Sequence, residues 1–511
     1  MSNARPITHT FFFMVSLTLL AKVFGFVREM VLANFYGTSY VVDAYVMASA
    51  IPGIIFGGIF GAVATAFIPA FSKIKEQHGG EAGDTFTVQV INLLVILSSM
   101  AIVFGILFSD QICSIFASGF EGETARLTSF YIKITFAYVI FTSPAGILDA
   151  YMQYKGFYLK PIVSGYIQNI AIISVIVISA IFSHYYLAFG MLIGAMLRFL
   201  YMWYNVNIIG LYYKSDFHLN DSIGKIIKLA IPVFIGTYIL QINTFVDKTL
   251  ASNLPEGSVA ALNYGMILIT LITGLTVALL VTLIYPKIAK AYTIENWYDF
   301  NFIVEKGVRI TAIITIPFSL GILAFSDEVV QIIYERGQFS PSATALTSGA
   351  FFFYGFGLIF FAFNDLVTKV FYSMRNTKAP IICSIISVML NIVLNLILVR
   401  TMAHLGLALA TSLSAMANSL CLCIWMSRKY PQVQLFKSRR KYFFIIFSAI
   451  LSVSVAYIIY QFIVSTIWMP RIFYLLTSVS SGICIYIALL YTLRIEEIKL
   501  FISRLKFKKQ N

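Results

Sequence analysis

Apolar runs of about twenty residues, broken by short polar clusters, recur from one end of the chain to the other and predict helices rather than strands. Fourteen are expected, near residues 10–35, 44–72, 86–108, 126–152, 162–183, 186–211, 225–250, 259–289, 302–325, 343–374, 380–399, 405–428, 441–465 and 470–493. Each is long enough to cross a hydrocarbon layer of ~30 Å. The first run follows Arg5 as a signal peptide would. It lacks a small-x-small cleavage site and continues through Gly25-Phe26-Val27, so it is expected to stay as the first span.

Composition sharpens this. Of 511 residues, 59% are apolar and 11% charged, against roughly 25% charged in soluble proteins. A water-soluble enzyme is excluded, and so is an outer-membrane barrel, whose alternating strands carry a weaker hydropathy signal. The fold class is an all-α polytopic membrane protein. Its five cysteines show no metal spacing, its histidines form no cluster, and no phosphate loop or nucleophile motif occurs. No catalytic residue, metal or cofactor is expected.

The net charge of +14 gains meaning from its distribution. The N-terminus, the even-numbered loops and the C-terminal tail carry 24 Lys and Arg, among them Arg5, Lys214, Arg439, Arg440, Lys441, Arg504, Lys506, Lys508 and Lys509. The odd-numbered loops carry five: Arg126, Lys248, Arg336, Arg400 and Arg471. The bias places both termini in the cytoplasm. It assigns the excess charge to anionic lipid heads and not to nucleic acid.

The chain also repeats itself. Phe108-Ser109-Asp110 returns as Phe325-Ser326-Asp327 and Pro69 as Pro286, both at an offset of 217. Leu127-Thr128-Ser129 returns as Leu346-Thr347-Ser348 and Pro161 as Pro380, both at 219. Spans 1–6 and 7–12 therefore read as two copies of a six-helix bundle. An even number of spans gives both copies the same sense, with a pseudo-twofold axis along the membrane normal, as in transporters whose halves rock about a cleft. The expected divisions are 1–217, 218–430 and a third part, 431–511, with two extra helices and a basic tail.

Seven cations lie inside or beside spans: Lys22, Arg28, Lys133, Arg198, Lys306, Arg309 and Lys369. A charge at the bilayer centre costs at least ~2.5 kcal/mol, so it normally faces a cavity or a partner. At 100° per residue, Thr18, Lys22, Gly25, Arg28 and Glu29 share about one third of the first helix. That stripe reads as a cavity wall, with Gly25 allowing close approach. Asp43 opens span 2 and either pairs with Arg28 or caps a helix. Asp365 and Lys369 are spaced to neutralise each other. Asp247 with Gln241 and Asn243, and Lys133 with Asp149, are candidate cleft groups. Lys306 and Arg309 read as snorkelling anchors, and Arg198 has no partner evident in sequence. Gln168, Asn169, Asn391 and Asn395 read as interhelical hydrogen-bonding groups.

At Gly25-Phe26-Val27-Arg28-Glu29, Tyr36-Gly37, Asp43-Ala44-Tyr45 and Ala66-Phe67-Ile68-Pro69 the sequence resembles the MurJ/MviN family of lipid II flippases. Tyr334-Glu335-Arg336-Gly337-Gln338-Phe339 and Gly406-Leu407-Ala408-Leu409-Ala410-Thr411 extend the resemblance through the second half. It implies a flippase of the multidrug/oligosaccharidyl-lipid/polysaccharide exporter superfamily, placed in the bacterial cytoplasmic membrane. Such a protein exports an undecaprenyl-pyrophosphate-linked glycan such as lipid II for peptidoglycan or surface polysaccharide. The resemblance further implies a cationic cavity, a tail groove at the last two helices, and substrate contacts at Lys22, Arg28, Glu29 and Asp43. Family members carry basic residues where this chain has Ala50, Phe56 and Ile267. A monovalent coupling cation is expected at Asp43, Asp247 or Asp365. The alternative is a cation-coupled multidrug antiporter of the MATE type.

Overall fold

The computed structural model describes residues 7–213, 221–466 and 470–499. Arg5, Lys214, His218 and the tail cations Arg504, Lys506, Lys508 and Lys509 lie outside the described residues. Among those described there are helices and no strand. They form two compact units: Met1–Asn263 with Arg336–Ala343, and Tyr264–Glu335 with Thr344–Asn511.

In the first unit, α1 (Ile7–Tyr36) lies on α7 (Leu159–Phe182), which packs on α8 (Phe189–Ile208). The long α2 (Tyr40–His78) touches α9 (Asp221–Ser252), α5 (Gly122–Ala137), α3 (Gly80–Leu107) and α6 (Val139–Tyr154). A short helix, α4 (Ser109–Phe116), follows α3. The second unit holds most of α10 (Ser258–Thr293), then α11 (Trp297–Tyr334), α12 (all but its first turn of Pro341–Ser373), α13 (Lys378–Lys429), α14 (Arg439–Thr466) and α15 (Arg471–Thr492). Eleven helices among the described residues are long and apolar enough to cross a membrane. One of them, α13, has 52 residues, or ~78 Å at 1.5 Å per residue, and is two helices meeting at Ala403 (φ 48, ψ −131). The fourth expected span is likewise a pair, α5 and α6, joined at Tyr138. The ninth runs on past Phe325 to Tyr334.

Lipid gives helices little hydrophobic reason to associate, so packing and internal hydrogen bonding must do it. Rings fill the first core, where Phe67 stacks on Phe86 and Phe71 meets Tyr151 edge-on. Hydroxyls satisfy what prolines leave open. Pro52 has no N–H for the Ala48 carbonyl, and Thr135 Oγ1 of α5 donates to it at 2.9 Å. Pro317 does the same to Ile313, whose carbonyl takes the Tyr486 hydroxyl at 3.0 Å. The outer faces keep large apolar side chains exposed, among them Leu107, Phe182, Ile458 and Phe462. Water would not tolerate so broad an apolar surface; lipid does.

The repeat has a structural counterpart in each unit. At Phe108 and at Phe325 the backbone leaves helical geometry (φ −111, ψ 19 and φ −131, ψ 25). The aspartate two residues later then accepts from a serine on the next long helix: Ser129 to Asp110, and Ser348 to Asp327. The same kink carries the same Asp–Ser tie in both units.

Candidate functional site

The cations expected to carry the chemistry begin on α1. The Tyr166 hydroxyl of α7 donates to the Leu17 carbonyl at 2.6 Å, and the ring of Tyr166 meets Phe24 edge-on. These contacts fix which face of α1 stays open. Lys22 is exposed on that helix, with no hydrogen-bond or ion-pair partner among the described residues. A Cβ on Gly25 would meet nothing within 4 Å, so Gly25 opens space instead of allowing the close approach expected of it. Six residues past Lys22, Arg28 donates to Glu29 Oε1 at 2.6 and 3.1 Å and reaches Asn169 Oδ1 of α7 at 3.4 Å. Glu29 is buried and Arg28 one third exposed. The guanidinium is thus held by Glu29 and Asn169.

A second ionic pair lies nearby in the same unit. Arg198 of α8 pairs with Asp149 of α6 and donates to Gln168 Oε1 of α7 at 3.1 Å. Arg198 therefore has the partner that sequence did not supply, and Asp149 is matched to it instead of Lys133, which is exposed on α5. Gln168 and Asn169, on consecutive positions of α7, each receive an arginine from a different helix.

Asp43 does not reach Arg28 and does not cap its own helix. One carboxylate oxygen accepts from the Gly257 amide and the other from the Ala260 amide, both at 2.7 Å. These are the N-cap and N3 donors of α10, the pair that a capping box satisfies. Glu256 returns the arrangement by accepting from the Tyr40 amide, at the start of α2, at 2.7 Å. Asp43 is 2% exposed. Asp247 accepts from Asn243 Nδ2 at 3.1 Å on α9. Its neighbour Lys248, counted above with an odd-numbered loop, sits inside α9 within the field of Asp247, Asp43 and Glu29. It lies two residues inside the end of the expected span 225–250, and that nearness to the end left it grouped with the following loop instead of with the cations of the spans.

Phe56, where the resemblance implies a basic group, packs on Phe60 and edge-on to Phe136. In the second unit, Asp365 is exposed on α12, and the Lys369 ammonium lies 5.4 Å over the ring of Tyr372. Arg309 is no snorkelling anchor. It is 4% exposed and gripped by Glu497 at 2.6 Å and Glu305 at 3.3 Å. Lys306 lies over the ring of Phe302. Asn395 donates to Asn391, which donates across α13 to Ser414, as an interhelical polar ladder.

The second unit also contains an apolar groove of about 470 Å³ between α11, α14 and α15. Ile313, Pro317, Phe325, Ala456, Gly482 and Tyr486 are among its walls. A Cβ on Gly321, also in the lining, would meet nothing within 4 Å.

The chain matches the family model described as lipid II flippase MurJ over residues 32–492. It is similar to a probable lipid II flippase MurJ of Rickettsia prowazekii (strain Madrid E), 28% identical over 420 residues that cover 79% of this chain and 80% of that protein. The corresponding protein of Rhizobium meliloti (strain 1021) is 29% identical over 423 residues, covering 79% and 78%. A solved structure of lipid II flippase MurJ in an inward closed conformation superposes with a TM-score of 0.83 at 25% identity, covering 95% of this chain and all of that one. An inward-facing MATE-family multidrug transporter superposes at 0.67 with 15% identity, over 83% and 99%. That last likeness is one of fold alone.

Proposed function

This chain belongs to the MurJ family of lipid II flippases, and from that membership we infer that it moves a polyprenyl-pyrophosphate-linked glycan such as lipid II across the bacterial cytoplasmic membrane. The reading comprises fourteen crossings with both termini inside, related six-helix halves that alternate access, and a groove at the last two helices for the lipid tail. The observation that carries it is the α1 stripe: Lys22 exposed and unmatched among the described residues, ~9 Å along the helix from Arg28. Lys248 adds a cation that replaces some of the charge absent at Ala50, Phe56 and Ile267.

A pyrophosphate leaving water for a low-dielectric site loses hydration, and charge-assisted hydrogen bonds from Lys22 and Arg28 replace it. Glu29 keeps Arg28 paired when no anion is present. An inside-negative potential is worth ~2.3 kcal/mol per charge per 100 mV, so two negative charges gain ~4.6 kcal/mol on the way out. The emptied cationic site is drawn back by the same field. Asp43, with both oxygens on backbone amides, contributes to structure in this state; Asp247 and Asp365 are the proposed places for a coupling cation. The antiporter alternative wants unpaired acids facing a cationic drug, and the α1 stripe carries two cations to one acid.

The test is rescue of a bacterium depleted of its own lipid II flippase, with expression of each form measured. Wild type is expected to rescue, and Lys22→Ala and Arg28→Ala to fail. Full rescue by both variants at equal expression refutes the assignment.

A further inference from the structure

The buried Arg309 cluster lies at one end of the apolar groove, and transport gives it no task. Its acid Glu497 stands on the short segment 495–499 that follows α15. Three contacts pin that segment: Arg309 to Glu497 at 2.6 Å, Lys441 to Glu496 at 2.8 Å, and Ile495, 1% exposed, in a cluster with Ile313, Ile445, Tyr486 and Leu490. Glu305, the second acid on Arg309, also accepts from the Ser438 amide ahead of α14 at 3.1 Å. An arginine between two acids in a buried place is costly to assemble and costlier to break, so it holds its neighbours in one arrangement.

What the cluster holds is a wall. Ile498, one residue past Glu497, lines the groove and packs against the cluster that holds Ile313 and Tyr486. The lining on α11 runs from Ile313 to Val329, ~24 Å of helix. Ile498 stands at the Ile313 end, where α14 begins and α15 finishes. The lining is almost wholly aliphatic and aromatic, which suits an isoprenoid chain and offers nothing to a headgroup.

We propose that segment 495–499, pinned through Glu497 to Arg309, is the floor of this groove and sets how much of a prenyl tail the protein accepts. The inference rests on the flippase reading and adds to it the residue that selects tail length. In a membrane the alternative to the groove is lipid, so selection comes from close packing rather than from escape from water. Taking about ten carbon pairs out of van der Waals range at the floor weakens binding about tenfold.

The experiment uses the full chain purified in detergent, with binding of farnesyl, heptaprenyl and undecaprenyl pyrophosphate measured by native mass spectrometry. Wild type is expected to prefer the longer tails. Ile498→Trp, which raises the floor, is expected to weaken undecaprenyl binding about tenfold and leave farnesyl binding unchanged. Ile498→Ala, which cannot clash, lowers the floor and is expected to widen the preference for long over short about threefold. An unchanged length profile in both variants, with wild-type binding intact, overturns the floor assignment alone. Equal weakening of every tail length by Ile498→Trp overturns it too. Wild type that binds no prenyl pyrophosphate overturns the flippase reading and this inference with it.

Discussion

Asp43 offers a perturbation whose size follows from geometry. Its carboxylate holds the Gly257 and Ala260 amides at 2.7 Å each. A hydrogen bond involving a charged group is worth about 1.5–3 kcal/mol. Asp43→Ala therefore removes about 3–6 kcal/mol from the start of α10, where Asp43 is buried. Asp43→Asn keeps one acceptor and loses the favourable charge at the helix N-terminus, so about half of that is expected. The assay is amide hydrogen exchange by mass spectrometry over residues 256–262, together with thermal unfolding in detergent. Exchange is expected to rise about a hundredfold to ten-thousandfold in the alanine variant and about tenfold to a hundredfold in the asparagine variant. A carboxylate acting only on a bound cation would give a different pattern: both variants would lose transport, while exchange and melting temperature stayed at wild type. That pattern would refute the capping role.

Other expectations can be checked by unfolding or transport. Ala403 holds a φ of 48° that an L side chain tolerates poorly, so Ala403→Gly is expected to stabilise by about 1–2 kcal/mol and raise the melting temperature. Gly337 has φ 58, and a Cβ there would sit 2.3 Å from the Asn34 carbonyl oxygen; Gly337→Ala is expected to lower the melting temperature by several degrees. Arg309→Leu strands Glu305 and Glu497 and is expected to cost about 3–5 kcal/mol, most of it recovered when both acids are also made glutamine. Gly321→Leu fills the groove and is expected to abolish flippase rescue while leaving the melting temperature within a few degrees of wild type.

Hydropathy alone located the helices to within several residues, because a span needs a fixed length of apolar sequence whatever surrounds it. It also located the bend of α13, where the gap between the eleventh and twelfth expected spans brackets Ala403. The Asp–Ser ties stood in the sequence as unexplained tripeptides; only the fold gives them a reason. Side-chain partners were much less legible. Asp43 meets amides 214 and 217 residues away, and Arg309 meets Glu497 across 188. Helical periodicity tells which face a residue occupies and is silent on what faces it. Arg309 looked like an anchor because a hydropathy window sees one helix at a time. Gly25 looked like a contact point because a glycine that admits a neighbour and one that leaves a hole read alike.

The bend at Ala403 also bears on how the chain is made. Gly406 brings the second limb of α13 so close to the first that an added Cβ would lie 2.5 Å from the Leu398 carbonyl oxygen. Ser387 donates from one limb to the Ser414 carbonyl on the other at 2.7 Å. So tight a hairpin leaves hardly any hydrophilic tip to drag through the lipid, with Arg400 its main burden. The two limbs are suited to leave the insertion machinery together, already paired, as one step of biogenesis instead of two.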